Sequence, residues 1–282
     1  MPPRAHPRTS LRPTPPAEAS ASQVWKLEDM SVALNLEGPS ETLAGLDKIN
    51  AIKSPGIWLS ATESLRATFE IASMFARLPK LLAAPRGDGH TVMVLPGFAT
   101  SDMTTQALRN YLSWLGYDSE PWRLGFNTGY LKLGEGQAGL SSRLSDLVAR
   151  SGDKVSLVGW SLGGVMARQM AREHPEMVRR VITLGSPFTG NPKAITIRRM
   201  YELISGESLK SETWRERFER DQHAPDVPCT AIYSQSDGVT AWQNCVEEPA
   251  THTENIEVRG SHLGLTHNPA VLLHFAEILA RT

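Results

Sequence analysis

The sequence has few cysteines and no excess of charge of either sign. Only two of its 282 residues are cysteines, Cys229 and Cys245, which is too few for a scaffold that depends on disulfides. Two free thiols in a reducing compartment are the expected state, and a single bridge is the alternative. Lys and Arg number 29 against 30 for Asp and Glu, so the basic excess of a nucleic-acid-binding protein is missing.

Long apolar runs and metal-site spacings are also missing. Residues 1–23 contain no continuous apolar stretch, unlike a secretory signal peptide, so we expect a cytoplasmic location. The best candidate for a membrane span, residues 56–84, is interrupted by charged side chains and is not expected to cross a bilayer. No cysteine or histidine cluster has the spacing of a metal site, and no metal or cofactor is implied.

The first 86 residues differ in composition from the rest of the chain. We expect residues 1–23 to form a disordered tail and residues 24–86 to form a mostly helical N-terminal extension. Within residues 61–84, an apolar stripe at helical spacing comprises Leu65, Phe69, Ala72, Phe75, Leu78 and Leu82. Such a stripe is typical of a helix docked on its own core. The alternative is peripheral contact with a membrane or a second subunit.

From residue 87 onward, short apolar runs alternate with helical patterns. The predicted strands are residues 91–95, 119–124, 155–158, 178–184, 230–233 and 256–258, and the predicted helices are residues 104–115, 140–150, 162–173 and a last one from Pro269. Such alternation predicts an α/β fold with a mostly parallel, doubly wound sheet. Residues 190–225 break the rhythm and are too long for a bare loop, so we expect a helical cap insertion there.

The segment Gly159-Trp160-Ser161-Leu162-Gly163 joins a predicted buried strand to a predicted helix. A nucleophilic serine at such a junction needs a sharp, strained turn, and this turn leaves room only for small residues two positions before and after it. The amides at the start of the helix then point toward developing negative charge. Ser161 is therefore the candidate nucleophile, and an ordinary serine in a strand-to-helix turn is the alternative.

A serine hydroxyl becomes nucleophilic when a base takes its proton, and eight histidines are available. His262 is the candidate base because it lies in a glycine-flanked loop after the last predicted strand, at the edge where a parallel sheet can bring it to the serine. His267 is the reserve. Asp237 follows another predicted strand and is the candidate acid that orients the base. Glu247 and Glu248 are the alternatives.

The tetrahedral intermediate of acyl transfer needs two or more backbone N–H donors. We expect Leu162 to supply one and Phe98, in the loop after the first predicted strand, to supply the other, because Pro96 has no N–H. The remaining substrate-binding candidates lie beside these donors or in the cap insertion, and they are Gly97, Trp160, Met200, Trp214 and Phe218.

The order Ser161, Asp237, His262, with the serine at a strand-to-helix turn, resembles the α/β-hydrolase superfamily. Segments 95–98, 184–187 and 236–238 (Leu-Pro-Gly-Phe, Leu-Gly-Ser-Pro and Ser-Asp-Gly) are similar to those of its lipase and esterase branches, particularly bacterial ones. The resemblance implies that residues 87–282 form a catalytic domain whose eight-stranded-type sheet is trimmed at its start. The chain departs from the family at Pro96-Gly97, where His-Gly is common, and the opening antiparallel hairpin is not evident.

The resulting hypothesis is a carboxylic ester hydrolase, esterase- or lipase-like, that acts through an acyl-enzyme on Ser161. The expected partner is a small-molecule ester with a hydrophobic acyl group, and no nucleic acid. Two alternatives use the same fold. One is an acyltransferase with the same triad, in which an alcohol replaces water, and the other is a catalytically silent binding protein.

Overall fold

The computed structural model describes residues 51–129, 136–191, 194–196, 202, 212, 216, 219–220 and 222–281. The chain divides into two compact units, Met1–Leu43 and Ala44–Thr282, and all described residues belong to the second. The tail expected at residues 1–23 lies outside the described residues, and so does most of the cap insertion. Three of the substrate-binding candidates also lie outside them, namely Met200, Trp214 and Phe218.

Six parallel strands form one sheet in the described part of the chain. They are β1 (Thr91–Leu95), β2 (Asp118–Pro121), β3 (Val155–Trp160), β4 (Val178–Leu184), β5 (Cys229–Tyr233) and β6 (Thr253–Glu257). Their order in the sheet is β2-β1-β3-β4-β5-β6, and every neighbouring pair is parallel. The sheet winds outward in both directions from β1 and β3, so the predicted doubly wound parallel sheet is confirmed.

Seven helices are described in the same unit. They are α1 (Ile57–Ala61), α2 (Glu63–Ala76), α3 (Leu78–Leu82), α4 (Gln106–Leu115), α5 (Gly136–Ser151), α6 (Leu162–Glu173) and α7 (Pro269–Leu279). One face of the sheet packs against α4 and α7, and the other face packs against α5 and α6. Alternate residues of β1 therefore enter different cores, Val92 and Val94 on one side and Met93 and Leu95 on the other.

Several boundaries differ from the sequence-based expectation. Strand β2 covers Asp118–Pro121 rather than residues 119–124. Within the described part of the chain it pairs only with β1, and it ends at Pro121, which has no N–H to extend the pairing. Strand β3 continues two residues beyond residue 158 to Trp160, so the first two residues of the G-x-S-x-G segment belong to the strand. Helix α4 begins at Gln106, because Asp102–Thr105 forms a 3-10 turn before it.

The apolar stripe of residues 61–84 faces solvent, so the expectation that it docks on the core is wrong. Leu65, Phe69 and Phe75 are 60%, 67% and 64% exposed. Helix α2 instead turns its polar face inward, where Glu63 is buried and Arg66 and Glu70 are half-buried. These polar groups form hydrogen bonds with loops of the sheet. Because their bonding is satisfied, the polar face can be buried although the apolar spacing predicted the opposite.

Candidate active site

The backbone at Ser161 is strained in the way that a nucleophile turn requires. Its φ is 55° and its ψ is −124°, a conformation that residues with a side chain rarely adopt. Ser161 is the last residue before α6, and its own N–H donates to the carbonyl of Leu184 on the neighbouring strand. The turn therefore places the hydroxyl at the carboxyl end of the sheet.

The glycines around Ser161 are required by close contact. A Cβ atom added at Gly159 would lie 2.3 Å from the backbone nitrogen of Gly164. A Cβ atom added at Gly163 would lie 2.4 Å from the carbonyl oxygen of Leu95. Both distances are far below van der Waals contact, so larger residues would push α6 away from β1 and β3.

His262 and Asp237 form a buried hydrogen-bonded pair. His262 Nδ1 donates to Asp237 Oδ2 over 2.6 Å, and both residues are 3% exposed. The other oxygen of Asp237 accepts the backbone N–H groups of Val239 and Thr240 at 2.7 and 2.8 Å. The Thr240 hydroxyl also donates to Oδ2 at 3.0 Å. The carboxylate is held in one orientation, and it fixes the imidazole with the proton on Nδ1.

A hydrogen bond and a close approach of the backbone place this pair beside the serine turn. The indole N–H of Trp160 donates to the backbone carbonyl of His262 over 3.0 Å. A Cβ atom added at Gly185, directly after β4, would lie 3.1 Å from both Asp237 Oδ2 and His262 Nδ1. Among the described residues the Ser161 hydroxyl makes no hydrogen bond.

The environment of His262 favours the imidazolium. Burial disfavours the charged form, but the charge and the hydrogen bond of Asp237, together with the charge of Glu63, outweigh that effect. The pKa of His262 is therefore raised above its ordinary value of 6.5. The ring is therefore stabilised in its protonated state.

The loop after β1 lies against the serine. A Cβ atom added at Gly97 would be 3.3 Å from the Cβ of Ser161 and 2.9 Å from the ring of Trp160. Buried Asn127 holds this loop in place. Its side-chain amide donates to the carbonyl of Pro96 at 2.9 Å, and its backbone carbonyl accepts the N–H of Ala99 at 2.7 Å. This loop and the first turn of α6 therefore both lie beside Ser161.

The other candidates named from the sequence occupy different places. Phe98 follows Gly97 in the same loop and is 7% exposed. Leu162 is the first residue of α6, where an N–H has no acceptor within the helix. Trp160 is buried against the core, and its indole N–H bonds the His262 carbonyl.

The reserve residues have surroundings other than the His262–Asp237 pair. His267 Nδ1 shares a hydrogen bond with the Thr266 hydroxyl at 2.9 Å, and burial lowers the pKa of His267. Glu247 is paired with the buried guanidinium of Arg168. Glu248 is exposed on the surface.

Sequence reasoning missed four residues that support the site, namely Glu63, Glu70, Asn127 and Thr240. For Thr240 the signal was local, because a hydroxyl three residues after an aspartate is a common partner in a turn. For Glu63 and Glu70 the signal was their spacing with Arg66, which puts the three on one face of a helix. Nothing in the local sequence marked Asn127.

The described residues include neither a cluster of metal-ligating side chains nor a membrane-spanning helix. No group of three or more His, Cys, Asp or Glu side chains within them is arranged to hold a metal ion. No helix within them is long and apolar enough to cross a membrane.

A family model described as the alpha/beta hydrolase fold matches residues 149–227, which contain the serine turn. Among curated proteins, the biotin biosynthesis bifunctional protein BioHC of Teredinibacter turnerae is 35% identical over 66 residues, or 23% of this chain and 10% of that protein. The match thus spans about a tenth of the length of that relative.

Solved structures share the architecture of the chain. One, from work on LipS and LipT, two metagenome-derived lipolytic enzymes, has a TM-score of 0.53 at 16% identity and covers 70% of this chain and 96% of that one. Aspergillus fumigatus lipase B has a TM-score of 0.52 at 17% identity, with 68% of this chain and 53% of that chain covered. At such identities the likeness concerns the fold.

Proposed function

From the α/β-hydrolase fold of this chain, we propose that it is a serine hydrolase that cleaves carboxylic esters through an acyl-enzyme on Ser161. The observation that carries the proposal is the buried His262–Asp237 pair beside a serine held at a φ of 55°. A strained serine alone, or a buried His–Asp pair alone, has many structural explanations. Acyl transfer requires the two at one site, and the bond from Trp160, which precedes the serine, to the His262 carbonyl supports that placement.

In the proposed mechanism, His262 Nε2 takes the proton of the Ser161 hydroxyl as Oγ attacks the acyl carbon of the ester. The oxyanion accepts hydrogen bonds from the backbone amides of Leu162 and Phe98. His262 then gives the proton to the leaving alcohol as the carbon–oxygen bond breaks, which leaves the acyl group on Ser161. Water attacks with the same proton transfers and releases the acid. Asp237 keeps the imidazole in the required tautomer and stabilises the imidazolium.

The substrate is proposed to be a small ester with a hydrophobic acyl group. The motivation is the apolar content of residues 190–225, an insertion between β4 and β5 that carries Met200, Trp214 and Phe218. We expect kcat/KM on p-nitrophenyl esters to rise by about fourfold for each methylene added beyond acetate, until the site is filled. Initial rates for a series of acyl lengths measure this. A clear preference for acetate over every longer ester would contradict the hydrophobic assignment.

The reaction class itself is tested by covalent labelling. A fluorophosphonate should form one adduct, and peptide mapping should place that adduct on Ser161. Product analysis with an added alcohol then separates hydrolysis from transfer, because an acyltransferase would form the new ester. Absence of any adduct under conditions where the protein is folded would exclude a serine hydrolase.

The acid limb of the pH–rate profile should lie above pH 6.5, the ordinary midpoint of a histidine, because the pKa of His262 is raised. The base must be neutral to accept the serine proton, so kcat/KM rises with pH through this pKa. In Asp237→Asn the limb should move to lower pH and the plateau should fall by about 10⁴-fold. A wild-type limb well below pH 6.5 would contradict the assignment of His262.

A further inference from the structure

Glu63 of α2 makes contacts with both loops of the proposed triad. The residue is 5% exposed, and its Oε1 accepts the backbone N–H of Gly238 at 2.7 Å and that of His262 at 3.1 Å. Its Oε2 accepts the N–H of Leu263 at 3.0 Å. Gly238 directly follows the acid and His262 is the base. One carboxylate therefore joins two loops that extend from different strands.

The rest of the inward face of α2 adds to this connection. Arg66 donates to Glu63 Oε1 at 2.7 Å and to the carbonyl of Ser236 at 2.6 Å, on the other side of the acid. Glu70 accepts the N–H of Ser261 at 2.6 Å and its hydroxyl at 3.2 Å. The residues on both sides of Asp237 and the residue before His262 are thus all bonded to one helix.

The glycines of these loops are explained by the approach of the helix. A Cβ atom added at Gly238 would lie 2.4 Å from the carbonyl oxygen of Leu59 and 2.8 Å from Glu63 Oε1. A Cβ atom added at Gly264 would lie 1.5 Å from Glu70 Oε2. Neither glycine has a positive φ. These positions need glycine because the Leu59 carbonyl of α1 and the carboxylates of α2 occupy the space of a side chain, and not because the backbone is unusual.

We propose that Glu63 is a positioning residue of the triad, which fixes the backbone of the base loop relative to the acid loop and so sets the direction of the His262 imidazole. This inference rests on the proposed function only for its catalytic consequence. The physical reason is that the hydrogen bonds of a buried carboxylate to backbone amides are strong and directional. Without them, three amides of the two loops would lose their acceptor.

The same carboxylate acts on the charge of the base. Two carboxylates, Asp237 and Glu63, favour the imidazolium of His262. Glu70 bonds Ser261, the residue before His262. Arg66 is the cation that partly offsets the negative charge of Glu63. A neutral residue at position 63 should lower the pKa of His262. Loss of the cation at position 66 should raise it, because Glu63 would then act without its counter-charge.

The test compares Glu63→Gln with Arg66→Gln in the full chain. We expect Glu63→Gln to lower the plateau rate of fluorophosphonate labelling at Ser161 by about 10-fold or more, because the base loop shifts. The acid limb of the labelling profile should move to lower pH in this variant. In Arg66→Gln it should move to higher pH. NMR titration of the His262 ring measures the same two shifts without any substrate.

The matched control is Glu277→Gln, which removes an exposed carboxylate of α7 and should match wild type throughout.

A purely structural role for the helix would move the two pH profiles in the same direction or not at all, and that outcome would overturn the inference. If one variant fails to fold, the sign of the shift in the other decides. If the wild-type protein labels at Ser161 and both variants show the wild-type pH profile, only the Glu63 inference is wrong. Wild type that never labels at Ser161 defeats the esterase proposal, and the NMR shifts still decide the role of Glu63.

Discussion

Replacing Ser161 with alanine should lower kcat/KM on an activated ester by about 10⁴- to 10⁶-fold and abolish fluorophosphonate labelling. The size of the loss follows from the proposed mechanism, in which no covalent intermediate forms without the serine oxygen and only binding and the oxyanion donors remain. The fold should tolerate the change, because Ser161 is small and its described hydrogen bonds come from its backbone. Steady-state rates and mass spectrometry of the labelled protein measure the effect.

The matched control is Ser156→Ala, because Ser156 belongs to a second Asp–His–Ser series. His90 contacts the Ser156 hydroxyl through Nε2 at 2.8 Å and bonds Asp88 through Nδ1. This series lies at the amino end of β3, where Ser156 is fully buried and a substrate cannot reach it. Ser156→Ala should therefore keep the label and the activity. Loss of labelling in Ser156→Ala but not in Ser161→Ala would reverse the assignment of the nucleophile.

Replacing Arg168 with methionine should destabilise the protein by about 3–5 kcal/mol, because it leaves Glu247 buried without its counter-charge. The two side chains are 0% and 1% exposed and form a direct ion pair. The guanidinium also lies 3.8 Å from the centre of the Phe188 ring and donates to the carbonyl of His223 at 2.8 Å. Urea unfolding followed by circular dichroism gives the change in free energy.

Two further variants show whether the pairing is the cause. Arg150→Met removes a guanidinium that is 47% exposed and paired with Asp118 and Glu120. It should cost only about 0–1 kcal/mol, because Glu120 keeps its ion pair with Arg143. The double variant Arg168→Met with Glu247→Met should recover much of the loss, because no buried charge then lacks a partner. An Arg168→Met protein within about 1 kcal/mol of wild type would mean that water or another group already compensates Glu247.

Much of the architecture could be predicted from the sequence because it depends on local patterns. The apolar runs at residues 91–95 and 178–184 predicted strands with the observed ends. The serine turn could be predicted for the same reason, since a small residue two positions before and after Ser161 is visible in the chain. Edge strand β2 was less well predicted, because its end depends on pairing with β1, its one neighbouring strand among the described residues.

The orientation of the N-terminal helix could not be predicted from periodicity. An apolar stripe and a polar stripe lie on the same helix, and hydrophobic spacing favours burial of the apolar one. The structure buries Glu63 and leaves Phe69 exposed. What reverses the expectation is a set of backbone amides in the loops at residues 238 and 261–263, whose acceptors are the helix carboxylates.

The sequence by itself determined which residue types could do the chemistry and the order of strands and helices that carries them, because both are properties of short segments. Only the tertiary structure decided that Asp237, rather than Glu247, pairs with His262, and that α2 lies against both loops. Those outcomes depend on contacts between residues as far apart as 63 and 263, whose hydrogen bonds form only after the sheet has brought the loops together.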